Sequence, residues 1–280
     1  MNARYPIYYI NLDRVPERAD FMNDQFSRLG LTAAVQRISA VDALTSSLKS
    51  NYDQTVKTSR WELLSSEVAI FESHRLIWKR IVKEKHPFAV IMEDDILLSK
   101  DFAKTVETIL DTIVEFDVLK LDGCNLQSCL FGSILHLDGV SIRPVLRRIG
   151  SSAGYMVSLS GAKKLLDRST AYCDVADDFI FEPRADCTVF QIDPAVGVQA
   201  MFLDDKCAVE MPDVISQSER TKNVSMRNKR NKGPVTYRLK KEWHRLCGKV
   251  FLKYFGNAFI IKQSGKIGPI PLAKDLGQYK

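Results

Sequence analysis

The stretch Pro87-Phe88-Ala89-Val90-Ile91-Met92-Glu93-Asp94-Asp95-Ile96-Leu97-Leu98 decides how this chain folds. Its apolar run, Phe88 to Met92, shows no polar alternation and is bounded by Pro87. That is the pattern of a strand buried on both faces of a parallel sheet. Glu93, Asp94 and Asp95 then emerge together at its carboxyl end, the edge where open α/β sheets bind their ligands. Three adjacent carboxylates repel one another unless a cation sits among them. Two readings follow from the residues alone: a solvated turn after a core strand, or a site for a divalent metal carrying a nucleotide diphosphate.

Working outward, the segment before this strand is helical. From Ser65, residues Glu67, Ile70, Phe71, His74, Ile77, Trp78, Ile81 and Val82 recur on one face at 3.6-residue spacing, with Ser65 or Ser66 as cap. Glu67 and His74 therefore belong to the buried stripe of a helix that feeds through His86-Pro87 into the acidic strand. After it, Ser99-Lys100-Asp101 opens a helix carrying Phe102, Val106, Ile109, Leu110 and Ile113. That helix returns the chain to a strand, Phe116 to Leu121. This is the β-α-β rhythm of a sheet with right-handed crossovers.

Toward the amino terminus, Pro6 to Leu12 reads as a first strand. Asp13 is placed to cap the helix that follows, Pro16 fits its first turn, and Gly30 ends it. Arg14 and Arg18 stand in this strand-to-helix turn, where an arginine can meet a phosphate. Val35 to Asp42 predicts a second strand that leaves into a polar loop, Thr45 to Thr58, expected to move. Toward the carboxyl terminus, residues 122–150 look irregular and Met156 to Leu159 follows Tyr155. A short helix runs from Ser160 through Leu166, Asp177 and Asp178 stand beside an apolar run, and Val189 to Gln199 is a final strand region.

The charge is unevenly distributed. Residues 220–249 hold eleven Lys/Arg against Glu242 alone, and residues 250–280 hold five lysines against Asp275. With a net charge of +6 for all 280 residues, the +14 of residues 220–280 leaves −8 on residues 1–219. The expected division is a globular domain over 1–219 and a basic tail over 220–280. In the tail, Leu239, Trp243, Leu246, Val250, Phe251 and Tyr254 share a helical face, a pattern suited to an anionic membrane surface. The amino terminus lacks the pattern of a secretory leader, and no apolar run approaches 18 residues. A cytoplasmic protein, peripheral on the inner membrane, is the expectation. Cysteines 124, 129, 173, 187, 207 and 247 show no CxxC and no zinc-type spacing with histidine. The tail has few aromatics at stacking intervals and the body is acidic, so no nucleic-acid partner is expected.

In sequence order, these pieces resemble glycosyltransferase family 25, the lipopolysaccharide and lipooligosaccharide biosynthesis transferases. The matching residues are Ile10-Asn11-Leu12-Asp13 with Arg18, Ser66-Glu67-Val68-Ala69 with Ser73-His74, Glu93-Asp94-Asp95, Ala153-Gly154-Tyr155, Asp177 within Ala-Asp-Asp-Phe, and Asp193-Pro194-Ala195 with Gln199. Two departures stand out: Ser151-Ser152 where the family usually has Gly-Thr, and Val175-Ala176-Asp177 where it typically has Pro-Val-Asp. Both leave donor and acceptor identity open.

The resemblance implies an α/β, GT-A-type, Rossmann-like nucleotide-sugar fold with a mixed, mostly parallel sheet flanked by helices. It implies inverting transfer, typically from UDP-galactose, with Mn²⁺ or Mg²⁺, to a lipooligosaccharide or other lipid-linked glycan acceptor. On that basis Asp95 is the expected principal metal ligand, with Glu93 a second candidate. Asn11, Leu12, Arg18, Glu67, His74, Glu93, Asp94 and Gln199 are expected on the donor side, and Ser152, Gly154 and Tyr155 on the sugar or acceptor side. Asp177 is the first choice as general base and Asp178 the second. A metal-dependent phosphohydrolase or nucleotidyltransferase is the alternative, since carboxylates after a buried strand serve those reactions too.

Overall fold

The computed structural model describes residues 4–44, 49–56, 62–112, 114–137, 139–204, 235–251, 260 and 262–280. An eight-stranded sheet organises them. The acidic stretch forms β3 (Phe88–Glu93), with the amino-terminal strand β1 (Ile7–Asn11) parallel on one side and β10 (Gly154–Ser158) antiparallel on the other. Beyond β1 lies β2 (Val35–Ser39), an edge strand with a largely exposed face. Beyond β10 come β5 (Val118–Lys120), β11 (Val189–Ile192), β9 (Val140–Pro144) and β8 (Leu135–Leu137).

The helical crossovers explain this order. β1 passes through α1 (Pro16–Arg28) to β2, and β2 returns through α2 (Ser65–Glu84) to β3 on the other side of β1. α1 packs with Ile7 and Tyr9 of β1 and Val90 and Met92 of β3, whereas α2 packs with Tyr8, Ile10, Ala89 and Ile91. Alternate residues of the same strands thus feed two cores, which is why the sequence reads as a continuous apolar run. α3 (Phe102–Asp111) joins α1's layer, and α4 (Leu159–Arg168) joins α2's layer with α5 (Ala176–Ile180). β5 does run in the direction of β3, but β10 is inserted antiparallel between them. The sheet is therefore evenly mixed, with three parallel and four antiparallel ladders.

Several expectations change in detail. Val15, not Asp13, precedes α1, and the Asp13 carboxylate instead accepts from Arg37 and Ser39. Leu64 is the N-cap of α2, and its N–H donates to the Glu67 carboxylate at 3.0 Å, so Glu67 supplies the cap expected from Ser65 or Ser66. Ile70 is half exposed rather than part of the buried stripe. Residues 122–150 are built from short strands: β6 (Asp122–Gly123), β7 (Leu130–Phe131), β8 and β9. The final strand region is two strands in different sheets, β11 and β12 (Gly197–Gln199). β12 pairs with β4 (Ile96–Leu98), directly after the acidic triplet. Part of the polar loop, residues 45–48 and 57–58, lies outside the described residues, as do Ile113 and Cys207.

The basic tail is not one unit. Residues 263–280 return to the body: β13 (Lys266–Ile267) pairs with β7, Leu203 bridges Tyr279, and Ile270, Ala273 and Leu276 are buried. Asp275 accepts from the Ser99 hydroxyl and the Lys100 N–H, tying this segment to the start of α3.

One close approach gives a direct stability test. Ser158 caps α4 by accepting from Gly161, and a Cβ on Gly161 would lie 2.1 Å from the Asp117 carbonyl oxygen and 2.7 Å from its carbon. Backbone on backbone cannot yield by rotamer change. Gly161→Ala should lower stability by about 3 kcal/mol, the upper end of overpacking effects. Thermal unfolding should show a midpoint lower by roughly 6–12 °C; an unchanged midpoint would contradict the packing of α4 on β5.

Candidate active site

Between β1 and β3 the chain reverses its winding, α1 lying on one face and α2 on the other. The carboxyl ends of these strands therefore splay around a crevice. A cavity of about 450 Å³ occupies it, within the range of small-molecule sites. Its walls come from the β1–α1 turn (Asn11, Leu12, Arg14, Arg18), the first turns of α2 (Glu67, Ile70, His74), the Glu93–Asp95 corner, Gly150 to Ser152, Val175 to Asp177, and Gln199 to Phe202.

The acidic triplet is not one cluster, because the turn after β3 sends its members in different directions. Asp94 is fully engaged: its Oδ1 accepts from Arg18 at 2.8 Å and its Oδ2 from the Asn11 amide at 2.8 Å. The Asn11 side-chain oxygen Oδ1 in turn accepts from Arg37 Nε at 2.8 Å. Burial nevertheless holds Asp94's pKa above its usual value. Asp95 is buried against the Gln199 amide, which reaches both carboxylate oxygens at 3.2 and 2.9 Å. Burial first, then the Glu93 and Asp94 charges, pushes its pKa up to about 7. Gln199 reaches it because β12 pairs Gln199 with Ile96, the residue after Asp95. Glu93 turns toward the other wall, where it accepts from the Ser152 hydroxyl and faces His74 Nε2 at 3.5 Å.

Asp177 also lines the cavity, from the first turn of α5. Its Oδ2 accepts from the Ser151 N–H at 3.2 Å and its Oδ1 from the Asp178 N–H at 2.8 Å. The site thus holds two acidic centres on separate elements, joined by the dipeptide Ser151-Ser152.

The sequence profile of glycosyltransferase family 25 (LPS biosynthesis protein) matches residues 4–181, which contain β1, the triplet and Asp177. The chain belongs to glycosyltransferase family 25. A Haemophilus influenzae relative named lipooligosaccharide biosynthesis protein lic2B is 25% identical over 212 residues, 71% of this chain and 78% of that protein. A glycosyltransferase 25 family member of Aedes aegypti is 29% identical over 177 residues, 58% of this chain and 28% of the relative. An Anopheles gambiae member is 30% identical over 174 residues, 57% and 28% respectively. The chain therefore spans under a third of the insect relatives it matches. Among solved structures, the inositol-1-phosphate CTP transferase from T. maritima shares 11% identity, with 77% of this chain and 95% of that one covered, at a TM-score of 0.34. So slight a likeness adds nothing to the sheet order above.

The two departures from the family 25 pattern now have a structural setting. Ser151 holds φ +68°, the left-handed region that favours the glycine usual at this position, and its hydroxyl donates to the Asp122 carboxylate. Ser152 keeps the hydroxyl of the usual threonine, bonded to Glu93. Val175 and Ala176 line the cavity directly.

Of the residues singled out from sequence, Asn11, Leu12, Arg18, Glu67, His74, Glu93, Asp94, Asp95, Ser152, Asp177 and Gln199 line the cavity; Gly154, Tyr155 and Asp178 do not. Tyr155 is fully buried beneath the site, its hydroxyl bonded by Trp78 Nε1 at 2.9 Å and paired with His74 Nδ1 at 3.0 Å. It is bonded to His74 and Trp78 and lies off the cavity wall. Gly154 packs behind it, where a Cβ would lie 2.6 Å from Ile96 Cδ1. Asp178 points outward to Arg148, at 3.4 Å, because adjacent residues on a helix diverge by about 100°. Arg14 lines the cavity and pairs with Asp42.

The residues missed in the sequence are Lys120 and Asp122, a buried pair behind Ser151, and the apolar wall of Leu126, Met201 and Phe202. An acid directly after the Phe116–Leu121 strand was the available signal for Asp122. Burial, opposed by Lys120 and Ser151, pushes its pKa from 3.8 up to about 6. The native state then binds an extra proton between about pH 4 and 6, so stability falls as pH rises through that window. Asp122→Asn removes the slope. The wild-type thermal midpoint minus that of the variant should decline across the window and flatten on either side. Parallel curves would show that this carboxyl is not buried as described.

The donor set also bears on a metal. Among the described residues, the cavity wall carries six carboxylates, Asp42, Glu67, Glu93, Asp94, Asp95 and Asp177, against two guanidinium groups, Arg14 and Arg18. A diphosphate entering such a site needs an accompanying cation. Among the described residues, no three His, Cys, Asp or Glu side chains converge on one point. Asp95, with Glu93 near it, fits a cation shared with bound phosphates, as Mg²⁺ and Mn²⁺ commonly are with one or two carboxylates. It does not fit a cage made by protein alone.

Proposed function

We propose that this family 25 chain transfers a hexose, galactose foremost, from a UDP-sugar to a lipooligosaccharide or lipopolysaccharide acceptor with inversion, on a GT-A-type scaffold. The observation that carries the reading is that Asp95, between β3 and β4, and Asp177, in α5, line one cavity from different elements. A single displacement brings the acceptor hydroxyl in opposite to the departing diphosphate, so the groups serving the two must face each other across the sugar.

Asp95, assisted by Glu93, would hold Mn²⁺ or Mg²⁺, which when bound supplies Lewis-acid stabilisation of the departing diphosphate. Asp94, clamped by Arg18 and Asn11, fixes the β3 corner so that the Asp95 carboxylate stays beside Gln199. Asp177 accepts the proton of the acceptor hydroxyl as it attacks. The Ser151 N–H on Oδ2 and the Asp178 N–H on Oδ1 fix its plane. Leu126, Ile70, Met201 and Phe202 give the cavity an apolar side against which the base or sugar ring can lie.

The test is a panel of UDP-sugars, each assayed for Mn²⁺-dependent thermal stabilisation and then for transfer to a lipooligosaccharide acceptor. Stabilisation by one donor with acceptor-dependent release of UDP supports the reading. If none stabilises the protein, transfer from UDP-sugars is refuted; nucleotide release independent of any acceptor points to a hydrolase instead.

The acceptor class is supported by α6 (Val235–Phe251), whose Val235, Leu239, Trp243, Leu246 and Val250 form one exposed apolar stripe. Arg238 and Lys240 are exposed beside it, while Phe251's side chain and Tyr254 lie outside the description. In chain order α6 stands between Met201 and Phe202, which line the cavity, and β13, which pairs with β7 of the body. Docking of α6 on an anionic leaflet would therefore bring the cavity to a peripheral membrane surface, where each basic residue adds about 1 kcal/mol. Because residues 263–280 are part of the body, truncation at 220 would unmake the fold, and Leu239→Glu with Trp243→Glu is the better probe. Flotation with phosphatidylglycerol vesicles should fall at least tenfold in the variant; equal flotation would refute docking through this face. No helix among the described residues is long and apolar enough to cross a membrane.

A further inference from the structure

Lys120 and Asp122 are both fully buried, and neither lines the cavity. Lys120 Nζ donates to the Asp122 carboxylate and to the Ser151 carbonyl, and lies 4.7 Å from the centre of the Phe181 ring. The second Asp122 oxygen accepts from the Ser151 hydroxyl, and the first also accepts from the Gly154 N–H at 3.3 Å. From the far side, the Gln191 amide donates to the carbonyls of both Lys120 and Asp122, at 3.3 and 3.2 Å. Every polar atom of Ser151 is thereby assigned. Its hydroxyl and carbonyl point down to the ion pair, and its N–H points up to Asp177. Ser152 then carries its hydroxyl to Glu93.

A buried ion pair of this kind is a poor way to gain stability, since well-packed apolar groups of similar volume commonly do as well or better. It does specify geometry. Ser151 occupies a left-handed backbone conformation that non-glycine residues avoid, and such a conformation persists only where surrounding contacts over-determine it.

We infer that Lys120 and Asp122 are positioning residues for transfer: a buried ion pair that clamps Ser151, so that the Ser151-Ser152 dipeptide holds Asp177 and Glu93 in one fixed frame. The role rests on the transfer reading given above. The nucleotide side of the cavity, Asn11 of β1, Arg18 of α1 and Asp94 after β3, is hydrogen-bonded within itself and not to Lys120, Asp122 or Ser151, so the clamp acts on turnover more than on nucleotide binding.

Two variants test it. Lys120→Met with Asp122→Asn removes both charges together and leaves no lone buried ion. Ser151→Ala keeps the backbone position and removes only the hydroxyl anchor, with the smaller risk to folding. The double variant should lose 10- to 100-fold in kcat, with KM for the UDP-sugar and the affinity for UDP within about threefold of wild type. Ser151→Ala should lose several-fold in kcat in the same pattern.

Amide hydrogen exchange over residues 148–155, measured by mass spectrometry, needs no substrate and should quicken at least tenfold in the double variant. Unchanged exchange overturns the clamp. Faster exchange with unchanged kcat overturns its role in transfer, and so does a parallel loss of UDP affinity and kcat, which is the mark of general unfolding. A wild-type protein that transfers from no UDP-sugar removes the reading beneath this role, and the exchange result then still reports separately whether the ion pair holds the loop.

Discussion

Asp177→Asn is expected to lower kcat for transfer about a thousandfold, the middle of the range that positioned general bases contribute. Affinity for UDP should stay within about threefold, because the nucleotide side of the cavity is built from other elements. Asparagine keeps the shape of the side chain and can still accept the Asp178 N–H, so α5 should stay in place. Under the proposed function, what it removes is the oxygen that would take the acceptor hydroxyl's proton. Steady-state kinetics alongside calorimetric UDP binding separate the two effects. If turnover is unchanged, Asp177 is not the base, and its bonds to the Ser151 and Asp178 N–H groups become its whole role.

Asp95→Asn should have an effect as large by a different route. Mn²⁺-dependent stabilisation by UDP should vanish and transfer should fall at least a thousandfold, since under the proposed function this carboxylate would share the cation with the diphosphate. In the metal-free protein the same change should raise the thermal midpoint. A carboxylate that is buried and feels the Glu93 and Asp94 charges opposes folding, and a neutral amide of the same size relieves that repulsion while still meeting the Gln199 amide. Opposite signs for unliganded stability and for function mark a residue placed for chemistry rather than for the fold. A variant that loses stability without metal, or keeps its Mn²⁺ response, would show that Asp95 is structural.

These predictions depend on features with unequal visibility in the sequence. The run from Phe88 to Met92 announced a buried strand because alternate residues feed two cores, leaving no polar phase. The helix from Ser65 to Glu84 was visible for the complementary reason: one face is covered and the other is wet. The insertion of β10 between β3 and β5 was not legible, since a short apolar run carries no mark of its direction or its neighbours. The return of residues 263–280 to the body was hidden as well. Its binding is through strand pairing at β13 and through Asp275, whose partners lie 175 and 176 residues away.

The candidate site divides along the same line. Sequence by itself determined which residues stand at the carboxyl ends of β1 and β3, because strand ends follow from where an apolar run stops. Membership of family 25 was legible in the order of those short motifs. Only the tertiary structure decided what each carboxylate does. Glu93, Asp94 and Asp95 are equivalent as a triplet of letters, yet they meet Ser152, Arg18 and Gln199 from three different elements. Tyr155 and Asp178 were drawn out of the site, one by burial and one by its place on a helix. Lys120 and Asp122 were brought beneath it. The physical reason is that a side chain's chemical type is local, whereas its partners, its burial and hence its charge state are set by residues far away in the chain.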